Sequence, residues 1–240
     1  MRSWPEMRMP GFFPTPEERI PVIYSHGGGP CDIGAMVFLA MHPQVDWLGL
    51  VLTRGEFHPE IAIEKWSVFL YDVLHSTNTA IALGSTERMD PVSHDFPDEW
   101  RGGADDFWGL TLPPPVTEFE VAYGPDLIVE LVNNSPEKVT LVGMASMIDL
   151  ALAIQQDPGI IENIAQVVIM GGAFTVSGNL HEGPDPTTNI SAEWNMYIDP
   201  EAAHLLFTSG VPLSVIPLDA IQYLVQPEDV AVLNSIGGPG

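Results

Sequence analysis

The stretch Tyr24 to Met36, YSHGGGPCDIGAM, gathers an imidazole (His26), a thiol (Cys31) and a carboxylate (Asp32) around three consecutive glycines. Apolar residues from Pro21 to Tyr24 lead into it and a second apolar run follows, so the three groups sit on a loop between a strand and a helix. A glycine loop ahead of a helix can cradle phosphate through its backbone N–H groups. Here the spacing is neither GxGxxG nor GxxxxGK followed by Ser or Thr, and the loop has no lysine, which weighs against that use. Asp32 can act as a short acceptor that caps the helix, or as one ligand of a hard cation such as Ca2+. A lone carboxylate is a poor calcium site, because the ion takes about six to eight oxygens, several of them anionic. Cys31 is a candidate nucleophile beside a helix start, and His26 a candidate base; both also read as inert interior residues.

The elements that must position these groups alternate along the chain. Strand-like runs occur at 22–25, 47–52, 79–83, 139–142, 167–170 and 213–216. Helical spacing occurs at 33–41, 61–74, 126–133, 147–155 and 200–209. It is clearest where Trp66, Phe69, Leu70, Val73 and Leu74 recur at i, i+3 and i+4. Asp199 followed by Pro200 marks a helix start. This alternation predicts an α/β domain with a mostly parallel central sheet flanked by helices. Residues 84–122 break the rhythm with prolines and RGGADDFWG, and are expected to form a long surface excursion beside a site. A second irregular stretch, 175–192, carries Gly178, Gly183, Pro184 and Pro186. In open parallel sheets ligands bind beyond the carboxyl ends of the strands. Those ends carry His26 to Asp32, Arg54 to Glu56, Gly143 to Met147, Gly171 to Asn179, and Asp219.

Composition limits the partners. With 8 Lys and Arg against 32 Asp and Glu, the formal charge of −24 argues against nucleic acid and anionic membrane surfaces. A single cysteine excludes an intramolecular disulfide, and the opening MRSWPEMRMPGFF lacks the apolar core of a signal peptide, so a cytoplasmic location is expected. The longest apolar run, 33–41, is far short of the roughly 20 residues that span a bilayer. Small polar or cationic ligands suit the charge; a homo-oligomer is left open.

The block MGGAF at 170–174, Gly178–Asn179, and AEWNMYIDPEAA at 192–203 resembles the inosine–uridine-preferring nucleoside hydrolase family, whose pattern there is MGGAF, GN, AEFN and DPEAA in that order. VTLVGMASMIDLALAIQQDP, LGLVLTRGE and PLSVIPLDA resemble further family segments, so the likeness runs from about Val22 to Asp219. It divides the chain into an N-terminal extension, 1–20, and a nucleoside-hydrolase-like domain, 21–240. The resemblance implies hydrolysis of the N-glycosidic bond of a ribonucleoside, with a Ca2+ held by aspartates and a carboxylate that activates water at an oxocarbenium-like centre.

By that likeness Asn179, Glu193 and Asn195 grip the ribose of a nucleoside or ribose-like ligand, and Met170 lines the pocket. Glu56 stands where an asparagine contacts the ribose, and Ile148 where a threonine lends its carbonyl. The family's loop reads D-x-D-x-G-x-D-D. Ser25, Gly27 and Cys31 take the place of three of its acids, the catalytic base among them, and Asp32 is the metal ligand that remains. The chain also ends at SIGGPG, after a helix beginning at Pro227 and before the family's C-terminal histidine–aspartate pair. Two readings follow: a hydrolase with a reduced site, His26 and Asp32 doing the catalytic work, or a catalytically inactive or repurposed nucleoside- or sugar-binding homologue.

Overall fold

The computed structural model describes residues 19–91, 94–182, 189–221 and 226–235. Among these residues there are seven strands: β1 (Ile20–His26), β2 (Val45–Leu52), β3 (Ala80–Leu83), β4 (Val121–Tyr123), β5 (Val139–Met144), β6 (Ile164–Met170) and β7 (Leu213–Ile216). They form one sheet in the order β4-β3-β2-β1-β5-β6-β7, and every pairing is parallel. The helices are α1 (Pro30–Met41), α2 (Pro59–Val68), α3 (Asp98–Asp105), α4 (Gly124–Asn134), α5 (Ile148–Gln156), α6 (Trp194–Tyr197), α7 (Pro200–Thr208) and α8 (Pro227–Ser235).

A strand turns successive side chains to opposite faces, so a parallel sheet must be covered on both. In β1, Val22 and Tyr24 enter one core with Met36 of α1, Trp66 of α2 and Ala104 of α3. Ile23 enters the other, with Ile128 of α4, Leu150 of α5 and Leu206 of α7. β2 repeats the split, with Leu50 and Leu52 on the first side and Val51 on the second. Helices therefore sandwich the sheet. Among the described residues no helix is long and apolar enough to cross a membrane.

The strand and helix expectations are met within a few residues, with three differences. β4 escapes the sequence because it is only three residues long, and pairing with β3 rather than an apolar run makes it a strand. The helix expected over 61–74 is α2 from Pro59, followed by a wider π turn over Phe69–Val73. The segment 84–122 does lie beside a site, yet it also carries α3 and buries Phe96, Ala104 and Phe107. Of the expected N-terminal extension, residues 1–18 lie outside the described residues, as do Gly183, Pro184 and Pro186; Ile20 already belongs to β1.

Candidate active site

The strand order places a topological switch between β1 and β5, whose following helices pack on opposite faces. Such a switch opens a crevice at the carboxyl ends of the strands. Two turns define its floor. The glycine loop leaving β1 and the Arg54–Phe57 turn leaving β2 are joined by Thr53 N–H to His26 O and Phe57 N–H to Gly27 O, both 3.0 Å. Gly27 and Gly55 meet back to back: a Cβ on Gly55 would lie 2.4 Å from the Gly27 Cα. No side chain fits between them.

Asp32 sits in the first turn of α1, three residues inside the N-cap, which is Gly29. Its role is thus that of a capping carboxylate reaching back, and not of the N-cap residue itself. Oδ2 accepts from Gly28 N–H at 2.9 Å and Gly29 N–H at 2.8 Å, and Oδ1 accepts from the Tyr24 hydroxyl at 2.6 Å. The carboxylate is buried, and backbone donors at a helix N-terminus suit its charge.

His26 does not reach the cavity, contrary to its expected role as a base. Its ring is fully buried, stacked on Tyr24 and packed against Phe57 and Trp66 with centroids 5.2, 5.5 and 4.4 Å away. Nδ1 faces the Gly28 N–H at 3.2 Å and Asp32 Oδ2 at 3.3 Å, while Nε2 has no hydrogen-bond partner among the described residues. The side chains of β1 alternate, and His26 falls on the face covered by α2.

The other expected residues do converge. Asp32, Glu56, Met170, Asn179, Glu193 and Asn195 all line one cavity of about 350 Å³. Gly178 N–H bonds Ile190 O and Asn179 N–H bonds Ala192 O, which clamps the 178–179 turn against the approach to α6. Asn179 Oδ1 then accepts from Trp194 N–H at 3.0 Å. Asn195 Nδ2 lies 3.1 Å from both the carbonyl oxygen and Sδ of Met170. Glu193 caps α6: Oε1 accepts from Asn195 N–H, and Oε2 from Gly172 and Met196 N–H. Burial pushes its carboxyl above the ordinary value against those three bonds.

Glu56 differs from both of its neighbours. Among the described residues its carboxylate has no hydrogen-bond partner, and a side chain built on Gly29 would touch it at 3.3 Å and Asp32 Oδ2 at 3.6 Å. Removal from water, and then the charge of Asp32, push Glu56 up to about 7. The same desolvation, with Asp32 and Glu56, pushes the Cys31 thiol up to about 12, so it is not the thiolate a nucleophile requires near neutral pH.

The calcium ion implied by the sequence resemblance does not fit this donor set. Both oxygens of Asp32 are engaged by three protein donors. Among the described residues no three His, Cys, Asp or Glu side chains come together as a metal-holding group. Hard cations need several anionic oxygens at once.

Several site residues carry no signal in the local sequence. Phe96 and Trp100 come from the 84–122 excursion and join Trp194 as an aromatic wall of the cavity, with Phe96 stacked on Trp194 at 4.7 Å. Trp108, at φ +55°, donates from Nε1 to Gly28 O at 2.8 Å and pins the glycine loop. Tyr24 reads as a core residue, and only its pairing with Asp32 ties it to the site. The aromatic density of that excursion, otherwise polar, is the one hint available.

A family profile described as inosine-uridine preferring nucleoside hydrolase matches residues 22–239. The chain is 28% identical over 199 residues to a protein of Arabidopsis thaliana named probable uridine nucleosidase 2, covering 82% of this chain and 59% of that one. It is 27% identical over 223 residues to the pyrimidine-specific ribonucleoside hydrolase RihB of Shigella flexneri serotype 5b, covering 92% and 67%. The crystal structure of an inosine-uridine preferring nucleoside hydrolase from Bacillus anthracis superposes with a TM-score of 0.75 at 25% identity, over 90% of this chain and 70% of the other. The chain thus spans less than two thirds of the length of the Arabidopsis relative.

Proposed function

Because the chain belongs to the inosine-uridine preferring nucleoside hydrolase family, we propose that its cavity takes a ribonucleoside or ribose-like ligand. The reaction we propose is hydrolysis of the N-glycosidic bond to ribose and free base. We read the β1 loop as a calcium loop that has lost its acids, and the cytoplasm as the compartment that suits a single free cysteine.

One observation carries the reading: Glu56 is the cavity carboxylate that no donor among the described residues occupies, beside two that accept several hydrogen bonds each. Held up to about 7, it exists in both protonation states near neutrality, which suits general base work. As carboxylate it takes a proton from water while the water oxygen bonds the anomeric carbon. The C–N bond breaks with its electron pair going to the base nitrogen, which collects a proton from Glu56 or solvent. Asn179 and Asn195 offer amide groups to sugar hydroxyls, with Glu193 fixing the backbone of Asn195 and Met196. The flat faces of Phe96, Trp100 and Trp194 suit a planar base.

The test is release of free base from inosine and from uridine by the purified protein, and by Glu56→Gln. Release by the unaltered chain, lowered by about 10²–10⁴ in Glu56→Gln, is the expected result. No release above buffer would overturn the hydrolytic reading. A second reading, binding without turnover, is favoured by the internal engagement of Asp32 and Glu193. It predicts nucleoside binding without cleavage, lost in Asn195→Ala.

A further inference from the structure

Three of the chain's eight Lys and Arg side chains meet at one carboxylate outside the nucleoside cavity. Arg54 reaches Asp95 Oδ1 through Nε at 2.8 Å and Nη2 at 2.7 Å, and its Nη1 donates to Thr86 O at 3.1 Å. Arg88 Nη2 lies 2.5 Å from Asp95 Oδ2. Arg101 Nη1 stands off at 3.9 Å from the same oxygen. Partial burial opposes the charge on Asp95. The Arg54 hydrogen bond and the charges of Arg54, Arg88 and Arg101 outweigh it and hold the carboxyl below its ordinary value.

Arg54 spends its three nitrogens on Asp95 and Thr86, whereas Arg101 stands off from the carboxylate. That residue is only 8% exposed, and among the described residues its Nε has no hydrogen-bond partner. Buried guanidinium N–H groups are costly to leave unpaired and are nearly always matched by an acceptor. Arg101 and Arg54 together line a separate cavity of about 310 Å³, whose wall also carries His58, Ser85, Thr86 and Glu60. Two guanidiniums stand there with one lining carboxylate, Glu60, in a chain that is otherwise strongly acidic.

We propose that this second cavity is a binding site for a phosphate-class oxyanion, held by Arg101 and Arg54 with Thr86 and His58 at its rim. Guanidinium forks match tetrahedral oxyanions and give them charge-assisted hydrogen bonds. The two cavities are lined by residues adjacent in the chain: Gly55, Glu56 and Trp100 line the first, and Arg54 and Arg101 the second. The anion is either free phosphate or the phosphoryl group of a sugar phosphate. The site is independent of the glycosidic chemistry, so phosphate binding and base release can fail separately.

Inorganic phosphate is titrated into the purified chain by calorimetry and thermal melting, against chloride at equal ionic strength. Saturable binding and a melting temperature that climbs with phosphate beyond the chloride control are expected. Arg101→Gln weakens binding by on the order of tenfold or more, as loss of a charged fork does. Glu60→Gln, an exposed change in the first turn of α2, tightens it several-fold by removing the cavity's acid. If Arg101→Gln fails to fold, Glu60→Gln decides. Ribose 5-phosphate binding at least tenfold tighter than phosphate or ribose assigns the anion to a sugar phosphate; affinity equal to phosphate assigns it to the free ion. No phosphate effect beyond chloride, or a phosphate affinity that Glu60→Gln leaves unchanged, overturns the proposal.

Discussion

The Tyr24 hydroxyl donates to Oδ1 of Asp32 at 2.6 Å, so a residue of β1 occupies the oxygen of Asp32 that the glycine loop leaves open. The aspartate retained from the family pattern is thereby turned inward, toward the protein's own donors.

That inward turn makes the pair a stability element. Tyr24→Phe removes one donor from a buried carboxylate and should cost about 1–3 kcal/mol. Asp32→Asn should cost more, since Gly28, Gly29 and Tyr24 all lose a charged acceptor. Equilibrium urea unfolding of the two single variants and the double variant should show strong non-additivity, because both act on one bond. Additivity within about 0.3 kcal/mol would mean that the pair does not couple.

The contact between the loops after β1 and β2 makes a second prediction. Gly55→Ala drives a methyl to 2.4 Å from the Gly27 Cα and should destabilise by about 1–3 kcal/mol, with loss of ligand binding as the loops part. Gly34→Ala is the control. Nothing lies within 4 Å of that added methyl, and in α1 alanine should stabilise by about 0.5–1 kcal/mol. Melting curves of both variants check the contrast; equal shifts would remove the close approach as its cause.

Stability should fall as pH rises from about 4.5 to about 7. Glu56 is raised to about 7, and complete burial raises Asp149 to about 6, both above the usual carboxylate value near 4. In that window the folded chain binds more protons than the unfolded one, so unfolding free energy has a negative slope with pH. The contribution is full below the unfolded values and lost as each folded value is passed. Asp149→Asn should flatten the lower part of the slope and Glu56→Gln the upper part. Unfolding free energies measured every half unit test this, and a slope unchanged in both variants would refute the assignment.

The fold was largely legible in the chain. Runs such as Val22–Tyr24 and Trp47–Leu52 lack charged residues because both faces of a parallel strand are covered, and Asp199–Pro200 announces its helix locally. The cavity was legible where MGGAF, Gly178–Asn179 and AEWN keep a pattern, and Met170, Asn179, Glu193 and Asn195 do meet there. β4 was not legible, since three residues carry no periodicity and only β3 makes them a strand.

By type and order the sequence set Ser25, Gly27, Cys31 and Asp32 on the loop after β1, and Glu56 after the end of β2. Only the tertiary structure decided what each remaining group can do. Burial and distance are properties of segments far apart in the chain: Tyr24 and two backbone amides consume Asp32, an aromatic cage withdraws His26, and Glu56 is left facing the cavity unpaired. The meeting of Arg54 with Arg88 and Arg101 at Asp95 likewise joins segments far apart in the chain, a juxtaposition that no local spacing encodes.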